Sequence, residues 1–600
     1  MHIDLISCEQ AGTLFGLLTE RAKRTPDGIA YRQYDRNTDC WVNLTWQQVL
    51  HRTNQFAGAL AEFNLPPRQN LGILLKNSVD WVCFDMAVHQ LGHVVVPLYP
   101  HDSSANAAYI VRDAKVRLLL VDTASRWEQL WAVNNHFPEL DCVLIQQRGK
   151  SIDHASESLR VVSLEETLTA APVQEADGSN GPDSPATIIY TSGTTGAPKG
   201  VVLSHRAILK NAESVARIVP PNRADVFLSI LPLAHAFERT LGYYLPMMGG
   251  ASTAHAQSLL RFREDLRTIR PTVMMGVPRL YEQMYSTIRL TAKGSRLKQF
   301  LIGATARIGW RHSQWRRGMS ASPPPHERLI WPLLDALIAK PVSDAFGGRL
   351  RVAVSSGANL ANEVAEFLLG LGVPLVEGYG LTEAGPAVTA STLDDYVPGA
   401  AGFPLPEIEV KLTGEGELLV RTPSVMKGYW QNNEATMKAL LANDWLRTGD
   451  LAEFREGRVY ITGRCKDILV LSNGENVNPH PLESSISTDP LIEQVCIVGD
   501  GRPYLAAILV LDRVLWRQQA HEWGVDPNQP NSTGSHREIL KRIKERLKGV
   551  PAFKQVRAVH IDLEVWTIES GLMTPTMKVR RKTVLESYED AIEQIYRKRR

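Results

Sequence analysis

A short apolar strand that runs straight into a loop of hydroxyls and glycines constrains this chain more than any other stretch. Residues 186–190 read Ala-Thr-Ile-Ile-Tyr, and residues 191–200 continue as Thr-Ser-Gly-Thr-Thr-Gly-Ala-Pro-Lys-Gly. Glycine lets backbone N–H groups fold around an anion, because no Cβ blocks the approach of a phosphate. The hydroxyls and Lys199 add donors and positive charge. The stretch therefore predicts a polyphosphate-binding loop without the Walker spacing; the alternative is a plain Ser/Thr/Gly linker.

The length and charge of the chain set broad limits. At 600 residues it should contain several lobes, most simply a large N-terminal body and a smaller C-terminal domain. A net charge of +2 gives no global argument for nucleic-acid binding. The six cysteines are scattered without a C-x-x-C pair, which indicates a reducing compartment and neither a zinc site nor a disulfide framework. With no signal-peptide pattern at the N-terminus, these features predict a cytoplasmic protein without nucleic-acid partners.

The first half of the chain alternates helical and strand patterns. Thr45 and Ser78 precede amphipathic stretches and are typical N-caps. Strands that alternate with helices predict parallel sheets covered on both faces, an α/β fold. We expect helices over residues 45–63 and 78–91, and strands over residues 71–75, 94–98, 117–121 and 142–145.

A strongly basic segment spans residues 286–328, where Glu327 is the single acidic side chain. Leu297, Phe300, Leu301, Ala304 and Ile308 recur at helical spacing, and a Pro-rich stretch at 322–325 should break the helix. A basic amphipathic helix with flanking tryptophans is typical of a membrane-surface element. A solvated helix packed on its own domain explains the pattern equally well.

A domain boundary is predicted near residues 463–467. Short strands follow at 468–471, 494–498 and 505–510, and a basic helix at about 537–547. This pattern indicates a small α+β domain of ordinary size.

Three further motifs could bind a nucleotide. Residues 377–383 read Glu-Gly-Tyr-Gly-Leu-Thr-Glu, in which Tyr379 could lie against a planar base and Glu383 is a hard oxygen ligand suited to Mg²⁺. Asp450, in a Thr-Gly-Asp turn, could accept both hydroxyls of a ribose. Lys578 follows a Thr-Pro-Thr turn and could neutralise charge during group transfer. Read singly, these are equally a tight turn, a turn-forming Asp and a surface lysine.

Together these motifs, in this order, resemble the adenylate-forming superfamily. Within it the chain is most similar to long-chain fatty acyl-CoA synthetases, on three features: the Pro-Leu-Ala-His-Ala-Phe-Glu-Arg run at 232–239, the inserted basic segment and the Thr-Pro-Thr-Met-Lys ending at 574–578. The resemblance implies a large N-terminal body of parallel and mixed sheets layered with helices, residues 1–465, with a basic insertion at about 286–345. A small mobile α+β domain would follow, residues 466–600.

The resemblance also implies a two-step ligase reaction. A fatty acid and ATP would give acyl-AMP and pyrophosphate with Mg²⁺, and coenzyme A would then take the acyl group and release AMP. The acyl chain would alternatively pass to an acyl carrier protein, or the chain would be a non-catalytic nucleotide-binding relative. The basic segment 286–328 would be the contact with an anionic membrane surface for a cytoplasmic, peripheral enzyme.

Residue roles carried over from the superfamily complete the expectation. Catalysis would depend on Lys578, Glu383 and Thr194, with Lys466 as the hinge between domains. Thr191 and Glu383 would hold the metal, His235 and Phe237 would border the acyl pocket, and Gly474 would line the coenzyme A tunnel. His480 departs from the pattern, which has an acid there. ATP contacts would come from Thr191, Ser192, Gly193, Thr194, Thr195, Gly196, Lys199, Gly357, Ala358, Glu377, Gly378, Tyr379, Gly380, Thr382, Asp450, Arg464 and Lys578.

An apolar substrate would need an apolar channel. Besides Phe237, the candidate wall residues are Tyr243, Tyr244, Leu245, Met247 and Met248, which would equally suit an ordinary core.

Overall fold

The computed structural model describes residues 4–147, 159–168, 180–191, 197–292, 295–574 and 578–597. Over these ranges the chain forms a large α/β body and a smaller C-terminal unit with its own buried core. The predicted α/β class is confirmed.

The largest sheet of the described part has nine strands, and six neighbouring ones in its middle are parallel. The central strands are buried almost throughout, as parallel strands covered on both faces should be. In spatial order the strands are Phe403–Pro404, Ala387–Ala390, Leu375–Gly380, Val352–Ser355, Val273–Gly276, Val226–Ser229, Ser252–His255, Ile29–Asp35 and Cys40–Thr45.

The second sheet carries the predicted phosphate loop at one edge. Its strand Pro185–Thr191 runs antiparallel to Lys199–Ser204, so residues 192–196 connect two paired strands. The predicted strands at 71–75, 94–98, 117–121 and 142–145 all lie in this sheet. In spatial order the strands are Gly428–Tyr429, Lys199–Ser204, Pro185–Thr191, Val94–Pro97, Asn70–Leu74, Val116–Thr123, Cys142–Gln147 and Arg160–Ser163.

Smaller antiparallel and mixed sheets follow toward the C-terminus. A four-stranded sheet ends at Arg464, and the C-terminal unit begins within a few residues of it. The four strands are Glu409–Leu412, Glu417–Arg421, Trp445–Arg455 and Arg458–Arg464. The C-terminal unit contains the pair Leu469–Val470 and Asn476–Val477 and the three strands Ile492–Val498, Leu505–Leu511 and Val556–Asp562.

Helices cover the sheets and begin where the sequence provides caps. Thr45 accepts a hydrogen bond from the Gln48 N–H, and Ser78 accepts one from Trp81, so both predicted caps are confirmed. The helices of eight or more residues are Leu14–Arg24, Trp46–Ala61, Val79–Gln90, Ser104–Asp113, Ala124–Val133, His205–Ala216, Phe262–Ile269, Pro278–Thr291, Arg296–Arg316, Pro325–Leu334, Asn362–Gly370, Arg513–Trp523, Thr533–Arg546 and Glu589–Arg597.

The basic segment overlaps three helices, Pro278–Thr291, Arg296–Arg316 and Pro325–Leu334. The longest of them packs on the body. Arg296–Arg316 crosses Asn362–Gly370 so closely that a Cβ on Gly309 would lie 2.0 Å from the Gly370 carbonyl oxygen. Residues 317–324 then separate this helix from Pro325–Leu334, as the prolines predicted. The expected helix is present, and of its apolar residues Ile308 is buried whereas Leu297 and Phe300 are two-thirds exposed. Within the described segments, every helix falls short of the length and apolarity needed to cross a bilayer.

Candidate active site

A cleft of about 2130 Å³ lies between the body and the C-terminal unit. Its walls include Lys199 and Glu383 from the body and Lys578 from the C-terminal unit. Most of the sequence motifs, far apart along the chain, therefore face one cavity.

The two strand residues that flank the predicted phosphate loop lie on this cleft. Thr191 and Lys199 are direct partners across the antiparallel strands that the loop connects, and both line the cavity. Ser192, Gly193, Thr194, Thr195 and Gly196 lie outside the described residues, so their roles stay predictions.

Glu383 is held at the same end of the cleft by a residue that the sequence did not reveal. Tyr429 donates its hydroxyl to Glu383 Oε1 over 2.8 Å, and Lys199 Nζ lies 4.9 Å from the centre of the Tyr429 ring. Tyr429 therefore connects the carboxylate and the cation. Its strand, Gly428–Tyr429, pairs with residues 201 and 202, a contact between distant parts of the sequence that no local pattern encodes.

These donors fit magnesium held jointly with phosphates. Mg²⁺ commonly takes one or two carboxylates, keeps several waters and shares phosphate oxygens. The described residues contain no cluster of three or more His, Cys, Asp or Glu side chains that would make an all-protein metal cage. Glu383 and the Thr191 hydroxyl are thus a plausible donor set for a metal that also binds a nucleotide.

Tyr379, Asp450 and Arg464 form a hydrogen-bonded group at the other side of the cleft. Tyr379 donates its hydroxyl to Asp450 Oδ2 over 2.7 Å, and Arg464 Nε donates to Asp450 Oδ1 over 3.1 Å. Thr448 Oγ1 accepts from the Asp450 N–H, which fixes the turn. The Asp450 carboxylate is almost buried and is oriented from both sides.

The glycines on either side of Tyr379 line the cleft and also have a packing role. A Cβ on Gly380 would lie 2.2 Å from the Pro386 carbonyl oxygen, and one on Gly378 would lie 3.0 Å from that of Thr389. Pro386 and Thr389 belong to the chain that turns back to form the antiparallel neighbour strand. Glycine is therefore needed for the close approach of these two strands.

Glu377 also lines the cleft, but its carboxylate is occupied by the protein, so its role as an ATP contact stays a prediction. It accepts hydrogen bonds from the N–H groups of Leu360 and Gly399 and from the hydroxyl of Tyr396. Burial raises the pKa of Glu377, and these donors oppose that shift. The side chain thus anchors the loop at 356–360, which carries Gly357 and Ala358 into the cleft.

Lys578 reaches the cleft from the C-terminal unit. A Cβ on Gly357, whose φ of +92° favours glycine, would lie 3.8 Å from Lys578 Nζ. Thr574 and Lys578 are hydrogen-bonded through the Thr574 hydroxyl and both backbones, closing the turn that presents the lysine. Burial and the nearby Arg464 lower the pKa of Lys578 to about 8, while Asp450 opposes that shift. Lys578 thus lies near the Asp450 group, and its ammonium loses its proton at a lower pH than that of an ordinary lysine.

His235 and Phe237 border an apolar extension of the cleft. The Phe237 N–H donates to His235 Nδ1 over 3.2 Å, and burial with the nearby Lys578 lowers the pKa of His235 to about 4. A neutral imidazole locked by the backbone is suited to shaping a pocket, as predicted, and not to acid–base chemistry.

Only part of the predicted apolar wall lies on the cavity. Phe237 and Leu245 line it. Tyr243 and Tyr244 instead donate hydrogen bonds to the buried Asp85, which also pairs with Arg239. Met247 and Met248 are fully buried core residues.

The predicted hinge and tunnel residues are exposed. Lys466 lies in the turn directly after the strand Arg458–Arg464, and Gly474 lies in a turn away from the cleft with φ of +84°. Next to the hinge, His480 Nε2 is 2.9 Å from Asp467 Oδ2 and its Nδ1 is 3.4 Å from Glu483 Oε2. Arg581 pairs with Glu483. This ionic group connects the turn after Arg464 to the segment after Lys578, and of its members only His480 stood out in the sequence.

Residues 18–430 match the AMP-binding enzyme family, and residues 466–600 match the AMP-binding enzyme C-terminal domain. The chain belongs to the AMP-binding enzyme family. Family membership accounts for the cleft between two unequal units and for the order of the motifs.

Relatives with assigned names are similar over nearly the whole chain. "Long-chain-fatty-acid--CoA ligase FadD15" of Mycobacterium bovis is 28% identical over 97% of this chain and 96% of the relative. "Long-chain-fatty-acid--[acyl-carrier-protein] ligase AEE15, chloroplastic" of Arabidopsis thaliana is 29% identical over 92% of this chain and 83% of the relative.

Solved structures share the fold. The adenylation domain of a carboxylic acid reductase from Segniliparus rugosus, bound to AMP and a carboxylic acid, has a TM-score of 0.75 at 20% identity and covers 98% of this chain and 94% of its own. The anthranilate CoA ligase AuaEII, bound to anthranoyl-AMP, has a TM-score of 0.74 at 20% identity and covers 97% of this chain and 98% of its own.

Proposed function

We propose that this AMP-binding enzyme is a long-chain fatty acid–CoA ligase that forms AMP. The observation that carries the proposal is the position of Lys578, which comes from the C-terminal unit to lie beside Gly357 at the mouth of an apolar extension. A cation at the junction of a nucleotide cleft and an apolar channel suits the joining of a fatty carboxylate to a phosphate. The named relatives agree with this substrate class.

In the first step a carboxylate oxygen attacks the α-phosphorus of ATP, the bond to the β-phosphate oxygen breaks, and pyrophosphate leaves with the electron pair. Such a transfer needs positioning and charge neutralisation more than proton transfer. Asp450 orients the ribose, the loop at 191–199 holds the phosphates, and Lys578 stabilises charge on the reacting oxygens. Mg²⁺, held by Glu383 and the Thr191 hydroxyl, would neutralise phosphate charge.

In the second step the thiol of coenzyme A attacks the acyl carbon of acyl-AMP, a thioester forms and AMP leaves. We propose that residues 466–600 rotate about Lys466 for this step, withdrawing Lys578 and bringing Gly474 to the path of the thiol arm. The exposed hinge turn and the separate core of the C-terminal unit support this division at residue 465.

A screen for ATP-dependent AMP release over a series of carboxylic acids, with coenzyme A present, tests the proposal. We expect AMP release with fatty acids and an equal amount of acyl-CoA. Release of AMP with no acyl-CoA, together with acyl transfer to a purified acyl carrier protein, would show that the acceptor is a carrier protein and not coenzyme A. This is the acceptor in the name of the Arabidopsis relative. Nucleotide binding without any release of AMP would indicate that this chain is a non-catalytic nucleotide-binding member of the family.

We further propose that the enzyme is cytoplasmic and binds an anionic membrane peripherally, through a surface shifted from the one the sequence indicated. Leu329, Leu333 and Leu337 are each more than 60% exposed and recur every four residues along Pro325–Leu334 and its continuation. The helices of the same segment carry exposed cations, namely Arg296, Lys298, Arg307, Arg316, Arg328 and Lys340. An exposed apolar stripe on a basic segment suits an anionic bilayer. Two copies of this chain that paired through the stripe would instead bring their cations together.

Two arginines of the basic segment do not belong to this surface. Arg311 pairs with Glu327, and Arg317 donates to the carbonyls of Leu393 and Tyr396. The test is therefore Leu329→Ser with Leu333→Ser and Leu337→Ser, assayed on vesicles of phosphatidylserine and phosphatidylcholine. We expect loss of vesicle binding with soluble activity retained, and binding equal to that of the unchanged protein would contradict the proposal. Reversal of Arg307 and Arg316 should weaken binding most at low salt.

A further inference from the structure

The apolar extension of the cleft follows the strands of the nine-stranded sheet in regular rows. Phe227, Val273 and Val352 are direct neighbours across three parallel strands, and all three line the cavity. Met275 and Val354, two residues further along two of these strands, form a second row with Val376 of the next strand, Leu375–Gly380, and this row also lines the cavity. Side chains two residues apart share a face of a strand, so both rows lie on one floor.

The rows run from the reaction centre toward the beginning of the strands. Ser356 and Gly357, at the end of Val352–Ser355, face the cleft where Lys578 lies. Val354 is two residues earlier and Val352 four residues earlier on the same chain. At about 3.3 Å per residue, Val352 lies roughly 13 Å deeper than Ser356. Leu241 and Leu245 line the cavity from the helical layer.

An ion pair lies at the far end of these rows, formed by a buried Asp225 and an Arg351 side chain that is 36% exposed. Arg351, one residue before Val352, lines the cavity and donates from Nε and Nη2 to the two oxygens of Asp225, over 2.8 and 2.7 Å. It also donates to the Pro220 carbonyl over 3.0 Å. Asp225 is buried and also accepts from the Thr272 hydroxyl. Pushing a methyl end against this ion pair would break or desolvate it, which is costly.

We infer that the Arg351–Asp225 ion pair closes the acyl channel and so limits the length of the fatty acid. The two rows of apolar side chains would contact the acyl chain between Lys578 and this ion pair. This inference rests on the proposed function and specifies its substrate. An extended chain advances about 1.3 Å per carbon, since its C–C bonds of about 1.5 Å zigzag. About ten carbons therefore span the floor from Ser356 to Val352, so the upper length limit should lie a few carbons above ten once the carboxyl end beside Lys578 is included.

A matched pair of substitutions on one strand tests the contact of the rows with the acyl chain. Val354→Phe and Val352→Phe add the same volume at positions two residues, or about 6.6 Å, apart. Each variant should accept acids shorter than a cutoff, and the cutoff of Val354→Phe should be about five carbons shorter. The readout is acid-dependent pyrophosphate release for saturated acids of increasing length. Activity with the shortest acids reports that each variant is folded.

The role of the ion pair is tested by Arg351→Gln, with the exposed Arg349→Gln as control. The first variant should accept acids longer than the unchanged enzyme does, and the control should not. Equal cutoffs for the two Val→Phe variants would overturn the inference, as would an unchanged upper limit in a folded Arg351→Gln. If Arg351→Gln does not fold, the Val→Phe pair decides. If the unchanged enzyme activates no fatty acid, the proposed function fails instead.

Discussion

The hydroxyl of Tyr379 donates to Asp450 Oδ2 over 2.7 Å, while Arg464 occupies Oδ1 of the same carboxylate. Tyr379 thus has a second task besides the predicted contact with a base: it fixes the group proposed to bind the ribose. Arg464 ends the last strand before the proposed hinge at Lys466. The Asp450 carboxylate is therefore connected, through Arg464, to the start of the C-terminal unit.

Tyr379→Phe separates the two tasks of this residue, because it keeps the ring and removes the hydroxyl. A hydrogen bond to a charged group contributes about 1.5–3 kcal/mol, so we expect the KM for ATP to rise roughly tenfold with little change in Tm. Tyr460→Phe, on the strand Arg458–Arg464, is the matched control and should leave KM unchanged. An equal effect of both substitutions on KM would show that the Asp450 contact has no role in ATP binding.

The pH dependence of the first step should report Lys578. Because burial and Arg464 lower the pKa of Lys578 to about 8, the cationic form is lost as the pH rises through about 8. Acid-dependent ATP–pyrophosphate exchange should therefore decline above pH 8. In Lys578→Arg, whose guanidinium stays charged, residual exchange should not decline over that range. The same alkaline decline in the arginine variant would assign it to another group.

Lys578→Ala should separate the two half-reactions. We expect exchange to fall at least a hundredfold, because a positioned charge is lost, while added acyl-AMP is still converted to acyl-CoA. Rapid mixing of the variant with synthetic acyl-AMP and coenzyme A measures the second step alone. If both steps fall equally, Lys578 is not specific to adenylation.

Lys466→Pro should impair the second step more than the first. Proline fixes its own φ and restricts Cys465, so the turn after Arg464 can no longer rotate freely. The structure already has Lys578 in the cleft, so exchange should be largely retained while thioester formation drops. Lys466→Ala removes the side chain but leaves the backbone free, and should behave like the unchanged enzyme. Equal behaviour of the two variants would argue against a hinge at this residue.

His480 should make the C-terminal unit sensitive to pH. Burial disfavours its charged form, but hydrogen bonds to Asp467 and Glu483 outweigh burial and raise the pKa above 6.5, with Arg581 opposing. A raised pKa contributes stability that is present below pH 6.5 and is lost as the pH rises through the folded-state value. The Tm of the unchanged protein should therefore fall more between pH 6 and 8 than that of His480→Gln. Parallel curves would exclude this contribution.

Local features of the fold could be read from the sequence, whereas many side-chain tasks could not. The caps at Thr45 and Ser78 depend on residues within one turn, and the predicted strands depend on short apolar runs. Tyr429 reaches Glu383 through strand pairing with residues more than 200 positions away, and Glu377 is occupied by Tyr396 and two backbone groups. Such contacts depend on tertiary structure, so a motif locates a site without saying which member touches the ligand.

The exposed leucine stripe at residues 329, 333 and 337 also shows that sequence periodicity alone does not decide which residues are buried. Helical spacing put Leu297, Phe300 and Ile308 in one apolar pattern, which suits a membrane surface or packing on the domain. The close crossing at Gly309 buries Ile308 and leaves Leu297 and Phe300 exposed. Leu329, Leu333 and Leu337 follow the proline break and carry the larger exposed surface. Periodicity indicates a face, and only packing decides which side of the helix it occupies.

The central claim is that the cleft activates a fatty carboxylate on the α-phosphate of ATP. Exchange of labelled pyrophosphate into ATP, measured with the purified chain, Mg²⁺ and a saturated fatty acid in the absence of coenzyme A, tests it directly. We predict exchange that depends on the acid and disappears in Lys578→Ala. No exchange with any acid across the length series, while the protein is folded and binds ATP, would contradict the claim.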